Sequence, residues 1–252
     1  MRRRSPRAAE SPGVAAALRA LGDRRARPDA AWVAALARVD PGEVAVVLEE
    51  VAELLPLERQ IRAAQVAAGR TGYAQIRAPF ELYALTRLLR PEHVVEAGVS
   101  SGVSSAHFLA ALRRNRRGRL HSIDRPTYQR GPVLGPRESP VSIPPGRASG
   151  WAVPAALRAR WDLWIGPAER RLGPLLAGLP SVGLFLHDDL HTSRHLAFEL
   201  ATLRPKLAAG AVVLADNTVW TGQAFPRFAA SLGVPWHRRR RSDLVGLAAP
   251  EG

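Results

Sequence analysis

Cysteine is absent from this chain of 252 residues. Disulfides, thiolate nucleophiles and thiolate metal ligands are therefore excluded, and any metal must bind oxygen or imidazole. Long hydrophobic runs are absent too, because Arg, Glu, Pro or Gly interrupts each apolar stretch before the roughly 20 residues of a membrane helix. The basic start is followed by an alanine-rich stretch broken by charges, which makes a poor signal peptide. We therefore expect a cytoplasmic protein with no membrane partner.

Lysine is nearly absent as well, since Lys206 is the only one, although the formal net charge is +14. Such a charge can indicate a nucleic-acid partner, because cationic side chains neutralise phosphates. The basic clusters at 2–4, 113–117 and 238–241 lack the interleaved aromatic residues on which single strands stack. A chain rich in Arg, Ala, Pro and Gly also fits GC-rich coding. We therefore favour a small-molecule partner. Because of the net charge, a nucleic-acid partner stays an alternative.

The chain does contain a clear change of hydrophobic period near residue 91. Residues 1–12 are polar and basic and are predicted to be a disordered tail. Apolar residues at helical spacing predict an N-terminal helical segment over 13–78, which is a candidate contact for a homo-oligomer. Residues 79–252 are predicted to form the main domain, since 46% hydrophobic residues suffice for one sizeable core.

Strands and helices alternate from residue 93 onward. Predicted strands cover 93–97, 119–123, 162–165, 183–187, 210–215, 236–240 and 244–247, and predicted helices cover 103–114, 168–177, 193–207 and 223–232. This alternation predicts an α/β fold, a Rossmann-like, doubly wound sheet of about seven strands with helices on both faces. Only residues 241–243 join the last two strands, so the last strand should be antiparallel.

A long segment over 125–160, rich in Pro, Gly and Arg, interrupts this alternation. Loops of this length in a compact domain are usually functional or disordered. The segment begins at the carboxyl end of the second strand, where ligands of open α/β sheets bind. It is therefore either a lid over the ligand or a mobile insertion.

The first strand leads through a glycine-rich turn into a helix. Gly98 and Gly102 allow the backbone to approach a ligand, and Ser104 offers a hydroxyl and free N–H groups to a carboxylate. The G-x-G-x-x-G spacing of a pyrophosphate loop is missing. Asp124 ends the next strand, where a carboxylate can accept hydrogen bonds from both hydroxyls of a ribose. Together these features indicate an adenosyl ligand.

On these residues the chain resembles class I S-adenosylmethionine-dependent methyltransferases. Their first motif is an acid-x-glycine turn, and their second strand ends in a ribose-binding carboxylate. The resemblance implies S-adenosyl-L-methionine as cofactor, with Glu96, Gly98 and Ser104 at its methionine end and Asp124 at its ribose. The predicted cofactor-binding residues are Glu96, Gly98, Ser100, Gly102, Ser104 and Asp124.

Acidic and amide side chains also follow two later strands. Asp188 follows the strand 183–187, and Asp216 and Asn217 follow the strand 210–215. Because these strands are expected to be neighbours, the three side chains can converge at the ligand-binding edge. Three oxygen ligands, with room for waters and a substrate hydroxyl, suit Mg²⁺ better than zinc. The simpler interpretation is that Asp216 and Asn217 cap a turn.

This second pattern resembles the divalent-metal-dependent O-methyltransferases of the catechol and macrolide-sugar types. The resemblance covers about 79–247 and implies that Asp188, Asp216 and Asn217 bind Mg²⁺. It also implies that His191 is the general base, because the macrolide-sugar branch has a histidine three residues after the metal-binding Asp, where the catechol branch has lysine. The implied reaction is O-methylation of a small-molecule hydroxyl, on a sugar or diol of the kind found in natural products.

Other interpretations stay open. His187 is expected to be a hydrogen-bonded core residue, and His195 either faces His191 or is solvated. Trp151 either stacks on adenine or anchors its loop. The alternative functions are an RNA methyltransferase, a non-methylating relative such as the proteins labelled cephalosporin hydroxylases, and a cofactor-binding protein without catalysis.

Overall fold

The computed structural model describes residues 28–68, 76, 78–126, 143–144 and 146–252. The predicted tail at 1–12 and the stretch 127–142 lie outside the described residues. The helices are α1 (Ala30–Ala37), α2 (Pro41–Glu49), α3 (Leu55–Ala67), α4 (Pro79–Leu89), α5 (Val103–Asn115), α6 (Ala168–Ala177), α7 (Ser193–Leu203) and α8 (Ala224–Leu232). The strands are β1 (His93–Ala97), β2 (Arg119–Asp124), β3 (Trp161–Ile165), β4 (Val182–His187), β5 (Leu207–Ala215), β6 (Trp236–Arg238) and β7 (Val245–Ala248).

The seven strands form one sheet in the order β3-β2-β1-β4-β5-β7-β6. All neighbouring strands up to β5 run parallel, and β7 is antiparallel to both β5 and β6. This topology confirms the predicted Rossmann-like sheet with its antiparallel last strand. Several boundaries differ by one to four residues. The largest difference is that the helix predicted over 193–207 ends at Leu203, and β5 begins at Leu207, three residues before its predicted start. Pro205 has no N–H to continue the helix, and the chain passes through a short 3-10 turn, Arg204–Lys206.

Helices cover both faces of the sheet because side chains alternate along each strand. In β4, Leu184 and Leu186 pack with α1, α2, α4 and α5, whereas Phe185 packs with α6, α7 and α8. The N-terminal helices thus share one hydrophobic core with the sheet. No helix within the described residues is long and apolar enough to cross a membrane.

Polar contacts also connect the N-terminal helices to the last strands. The Nε1–H of Trp32 in α1 donates to the carbonyl oxygen of His237 in β6, at 3.0 Å. Glu81 in α4 is fully buried and pairs with Arg239. Burial raises the pKa of Glu81 and outweighs the opposing effect of the Arg239 guanidinium. Helices α1 and α4 therefore hold the antiparallel end of the sheet in place.

The strand register aligns the ends of four strands along one edge. Ile123, Ala97, His187 and Ala215 form a row across β2, β1, β4 and β5. The residues that follow this row are, in the same order, Asp124, Gly98, Asp188 and Asp216. Three carboxylates and a glycine turn therefore leave the sheet side by side.

Candidate functional site

The glycine-rich loop between β1 and α5 is a tight turn with three residues at positive φ. These are Gly98 at +92°, Ser100 at 51° and Gly102 at +92°. The N–H of Gly98 donates to the carbonyl oxygen of Ile123 at 2.9 Å, and the N–H of Gly102 donates to that of Val99 at 2.8 Å. Gly102 is the N-cap of α5, so the turn ends directly in a helix N-terminus.

Both glycines allow close packing within the protein. A Cβ added at Gly98 would lie 1.9 Å from the carbonyl oxygen of Asp188. A Cβ at Gly102 would lie 2.4 Å from Cγ2 of Val153 and 3.0 Å from Cα of Gly150. The sequence predicts that these glycines admit a ligand, whereas the nearest atoms in the structure belong to two neighbouring loops. The glycine turn therefore fixes the start of the loop that follows β4.

We expect the substitution Gly98→Ala to lower stability by about 1–3 kcal/mol, the usual cost of overpacking. The new Cβ would meet backbone atoms of Asp188, which cannot rotate away, and the positive φ adds strain. Gly173→Ala in α6 is the matched control, because no atom lies within 4 Å of its added Cβ. Urea unfolding of both variants measures the difference. A Gly98→Ala protein as stable as Gly173→Ala would contradict this role.

Glu96 lies beneath the turn and is fully buried. Its Oε2 accepts hydrogen bonds from the hydroxyls of Ser105, at 2.6 Å, and Ser122, at 2.7 Å. Its Oε1 has no hydrogen-bond partner among the described residues. Burial raises the pKa of Glu96 to about 7, although hydrogen bonds from Ser104, Ser105 and Ser122 oppose the rise. Through these hydrogen bonds, Glu96 in β1 connects β2 and the start of α5.

Asp124 is also buried, at 5% exposure. Its Oδ1 accepts a hydrogen bond from the N–H of Val99 at 3.1 Å, and its Oδ2 accepts one from the hydroxyl of Ser149. Burial raises the pKa of Asp124, and the hydrogen bond from Ser149 opposes this. Ser149 belongs to the segment 125–160, so this segment reaches the end of β2.

The end of the long segment covers the glycine-rich turn. The N–H of Gly150 donates to the carbonyl oxygen of Ser100 at 2.8 Å, and the N–H of Ala152 donates to that of Ser101 at 3.1 Å. Trp151 packs against the hydrophobic core of the α4–α5 face. Residues 155–160, predicted as loop, form a 3-10 helix that packs on α5. Residues 146–160 are therefore an ordered cover over the turn.

The predicted metal and base residues lie together at the ends of β4 and β5. The N–H of Asp188 donates to Ala97 at 2.8 Å, and the N–H of Asp216 donates to His187 at 2.9 Å, which extends the sheet by one residue. The Nε2 of His191 lies 3.4 Å from Oδ1 of Asp188 and 3.2 Å from Nδ2 of Asn217. We call Asp188, His191, Asp216 and Asn217 the acidic corner.

The acidic corner has the electrostatics of a cation site. Burial and the negative charge of Asp188 together raise the pKa of Asp216 to about 7. The negative charge of Asp188 thus disfavours the ionised form of Asp216, and a cation bound by both carboxylates would relieve this repulsion. Asn217 adopts a left-handed conformation, with φ 53°, that asparagine tolerates. Carboxylate and amide oxygens are suitable ligands for Mg²⁺.

A second polar cluster lies behind the acidic corner, around α7. His187 is fully buried, and its Nδ1 lies 2.6 Å from Oε2 of Glu199. His195 is 5% exposed and is therefore not solvated. Its Nε2 lies 3.1 Å from Oε1 of Glu199 and 3.3 Å from Oδ2 of Asp189. Its Nδ1 lies 3.1 Å from Oε1 of Glu169. We call Asp189, His195 and Glu199 the α7 cluster.

The charges of the α7 cluster are strongly coupled. Burial disfavours a charge on His195, but its hydrogen bonds to Asp189 and Glu199 outweigh burial and raise the pKa of His195 to about 10. Burial also disfavours a charge on Glu199, yet His187 and His195 lower the pKa of Glu199 to about 2. Glu199 is not among the residues predicted from the sequence, although its i, i+4 spacing from His195 places both on one helix face.

Residues 95–218 match the family model described as a methyltransferase domain. The fold is similar to that of the O-methyltransferase NovP, with 15% identity, 78% of this chain and 98% of that chain covered, and a TM-score of 0.56. It is also similar to the O-methyltransferase TomG from Streptomyces achromogenes in complex with S-adenosylmethionine (18% identity, 78% and 89% covered, TM-score 0.53). The O-methyltransferase from Bacillus cereus in complex with S-adenosylhomocysteine gives 13% identity, 77% and 90% covered, and a TM-score of 0.54. No curated protein sequence matches the chain.

Proposed function

We propose that this chain, whose residues 95–218 match the methyltransferase-domain model, is a class I S-adenosylmethionine-dependent methyltransferase that methylates a hydroxyl of a small-molecule acceptor at the acidic corner. We propose residues 79–252 as the methyltransferase domain. The observation that carries the proposal is the position of His191, whose Nε2 lies 3.4 Å from Asp188 and 3.2 Å from Asn217. This position supports His191 as the base, because its imidazole lies beside two proposed metal ligands. Asn217 contacts the ring through its amide Nδ2.

Methyl transfer is an in-line displacement at the methyl carbon of the sulfonium. The acceptor oxygen forms the new C–O bond while the C–S bond breaks. The electron pair of the broken C–S bond stays on sulfur. His191 takes the hydroxyl proton at Nε2, which makes the acceptor nucleophilic. The turn and the acidic corner lie next to each other along one sheet edge, so they can align methyl carbon and acceptor oxygen.

Asp188, Asp216 and Asn217 would hold Mg²⁺ in this proposal. The raised pKa of Asp216, which reflects burial and the negative charge of Asp188, supports that ion. When bound, Mg²⁺ lowers the pKa of a coordinated hydroxyl. Two vicinal oxygens chelate an ion better than one, which favours a sugar or diol acceptor. TomG is described as taking part in tomaymycin synthesis, and that similarity supports a natural product as acceptor.

We propose that the ribose of S-adenosylmethionine binds Asp124. The hydroxyl of Ser149 already donates to Oδ2 of this carboxylate, which is the contact that a ribose hydroxyl would make. Cofactor binding would therefore exchange a protein hydroxyl for a ribose hydroxyl, and the cover formed by residues 146–160 would shift at Ser149. Glu96, Gly98, Ser100, Gly102 and Ser104 would shape the methionine end of the same site.

We expect Asp124→Ala to weaken S-adenosylmethionine binding by at least about tenfold, because each hydrogen bond to a charged acceptor contributes roughly 1.5–3 kcal/mol. Ser149→Ala is the matched control, since it removes the competing hydroxyl and leaves the carboxylate. It should bind S-adenosylmethionine as tightly as the wild type or more tightly. Isothermal titration calorimetry measures both. Equal affinity of a folded Asp124→Ala protein and the wild type would remove Asp124 from the site.

The reaction class is tested with labelled S-adenosylmethionine, a panel of sugar and diol acceptors, and RNA, each with Mg²⁺ or with EDTA. We expect label to enter a small-molecule hydroxyl, with a rate that EDTA lowers. Methyl transfer to RNA at a rate that EDTA does not change would overturn the proposal in favour of an RNA methyltransferase.

A further inference from the structure

We propose that the α7 cluster, formed by Asp189, His195 and Glu199, is a zinc site separate from the acidic corner. Zinc binds imidazole and carboxylate ligands, and these are the ligand types that a chain without cysteine offers. The proposed Mg²⁺ ligands are all oxygen donors, so the two sites differ in chemistry. The proposal does not depend on methyl transfer.

The distances within the α7 cluster fit a tetrahedral ion. The Nε2 of His195 lies 3.1 Å from Oε1 of Glu199 and 3.3 Å from Oδ2 of Asp189. One ligand atom from each of the three residues lies within 4.8 Å of the others. Bonds to zinc of about 2.1 Å place tetrahedral ligands about 3.4 Å apart. The two distances from Nε2 of His195 are thus already near the spacing that a bound ion requires.

Outer contacts orient the ligands as they do around bound metals. The Nδ1 of His195 lies 3.1 Å from Oε1 of Glu169, which fixes the ring so that Nε2 faces the two carboxylates. The second oxygen of Glu199, Oε2, accepts a hydrogen bond from Nδ1 of His187 at 2.6 Å. Each buried ligand therefore has a second polar partner that holds its ligand atom toward the centre of the cluster.

The charges of the cluster favour a divalent cation. Three carboxylates, from Asp189, Glu199 and Glu169, surround the single imidazole of His195. The Nδ1 of His187 lies 2.6 Å from Oε2 of Glu199, and its buried Nε2 has no hydrogen-bond partner among the described residues. A proton on His195 supplies one positive charge, whereas zinc supplies two. Zinc therefore neutralises more of the buried negative charge than the proton it replaces.

The cluster is open to solvent on one side. The side chains of Asp189 and Glu169 are 23% and 52% exposed, whereas Glu199 is fully buried. An ion can enter past Asp189, and water can complete its coordination there. Asp189 lies in the loop that also carries Asp188 and His191. A zinc ion bound by Asp189 and by the two ligands in α7 would therefore link this loop to α7.

The proposal is tested on the full chain after treatment with a chelator, by titration with Zn²⁺ against a chromophoric competitor. We expect one tight zinc ion per chain. Asp189→Asn removes a ligand and should abolish tight binding. Glu169→Ala should weaken it by about 10–100-fold, the usual effect of losing an outer partner. Both side chains reach the surface, so both variants should fold, which circular dichroism verifies.

Two controls separate this site from other zinc-binding groups. Asp216→Asn alters the acidic corner, and His121→Gln removes a histidine that pairs with Asp162 at 3.3 Å. Both should bind zinc like the wild type. The proposal is overturned if the folded wild-type chain binds no zinc, or if zinc binding survives Asp189→Asn and Glu169→Ala unchanged. Loss of zinc in Asp216→Asn would place the ion in the acidic corner and equally overturn it.

Discussion

The substitution His191→Ala is expected to lower kcat for methyl transfer by about 10²–10⁴-fold, the usual contribution of a positioned base. The imidazole contacts Asp188 and Asn217 in the acidic corner, whereas the proposed cofactor-binding residues lie in the glycine-rich turn and at the end of β2. Affinity for S-adenosylmethionine should therefore stay at the wild-type value. Raising the pH should restore part of the rate, because hydroxide then replaces the missing base. Steady-state kinetics over a range of pH measures both effects.

His237→Ala is the matched control for this experiment. His237 lies in β6, at the far edge of the sheet from β3 and separated from β4 by two strands. Its loss should leave kcat unchanged. A folded His191→Ala protein with the turnover of His237→Ala would show that another group accepts the proton.

The substitution Asp216→Asn is expected to abolish Mg²⁺ binding and raise stability at neutral and alkaline pH. Asp216 is held beside Asp188, and burial together with that neighbouring charge raises its pKa to about 7. Its ionised form is thus disfavoured in the folded chain, although it is the form that binds a cation. Asparagine keeps the size and the backbone hydrogen bond to His187 and removes the repulsion.

The direction of the pH effect follows from the raised pKa. The folded pKa of Asp216, about 7, lies above its ordinary value of 3.8, so the folded chain holds this proton more tightly than the unfolded chain. The stability that the proton contributes is fully present below pH 3.8 and is lost as pH rises through 7. In EDTA, the free energy of unfolding of Asp216→Asn should therefore rise relative to that of the wild type as the pH increases from 3.8 to about 7. Mg²⁺ should bind the wild type more weakly below pH 7, because it must displace the proton.

Urea unfolding in EDTA at several pH values, with Mg²⁺ calorimetry, measures these effects. Ser193→Ala at the start of α7 is a control, since it leaves the carboxylates of the acidic corner in place. It should bind Mg²⁺ like the wild type. An Asp216→Asn protein that binds Mg²⁺ normally, or that is less stable than the wild type above pH 7 in EDTA, would contradict the account of the acidic corner.

The sequence predicted the fold closely because each strand lies between strong local signals. β1 follows Pro91 and ends at Gly98, so its bounds match the prediction at both ends. The short connection 241–243 also forced the antiparallel ending. The end of α7 was misplaced by four residues because the apolar pattern runs on past Pro205, where the missing N–H stops the helix.

The acidic corner was predictable because it depends only on topology. Parallel strands end at one edge, so the residues after β4 and β5 must meet there, and the contacts of His191 with Asp188 and Asn217 agree with that expectation. Whether they bind metal stays a prediction. The α7 cluster was not predictable in the same way. It requires the rotation of α7 that turns Glu199 inward and the approach of Glu169 from α6, and tertiary packing sets both.

The cover over the cofactor loop shows the same limit. The sequence of 125–160 contains no motif, so nothing indicated that Ser149 would donate to Asp124. Gly98 and Gly102 were singled out correctly as positions without a side chain. Their neighbours in space, Asp188 and Val153, come from distant parts of the chain, which a turn motif alone does not reveal.

A crystal structure of the chain with S-adenosylhomocysteine and Mg²⁺ tests the central claim most directly. The account predicts the ribose hydroxyls on the carboxylate of Asp124 and an ion bound by Asp188, Asp216 and Asn217, with Mg²⁺–oxygen distances of about 2.1 Å. It also predicts the Nε2 of His191 facing the space between that ion and the homocysteine sulfur. A ribose bound away from Asp124, or Mg²⁺ bound away from the acidic corner, would contradict it.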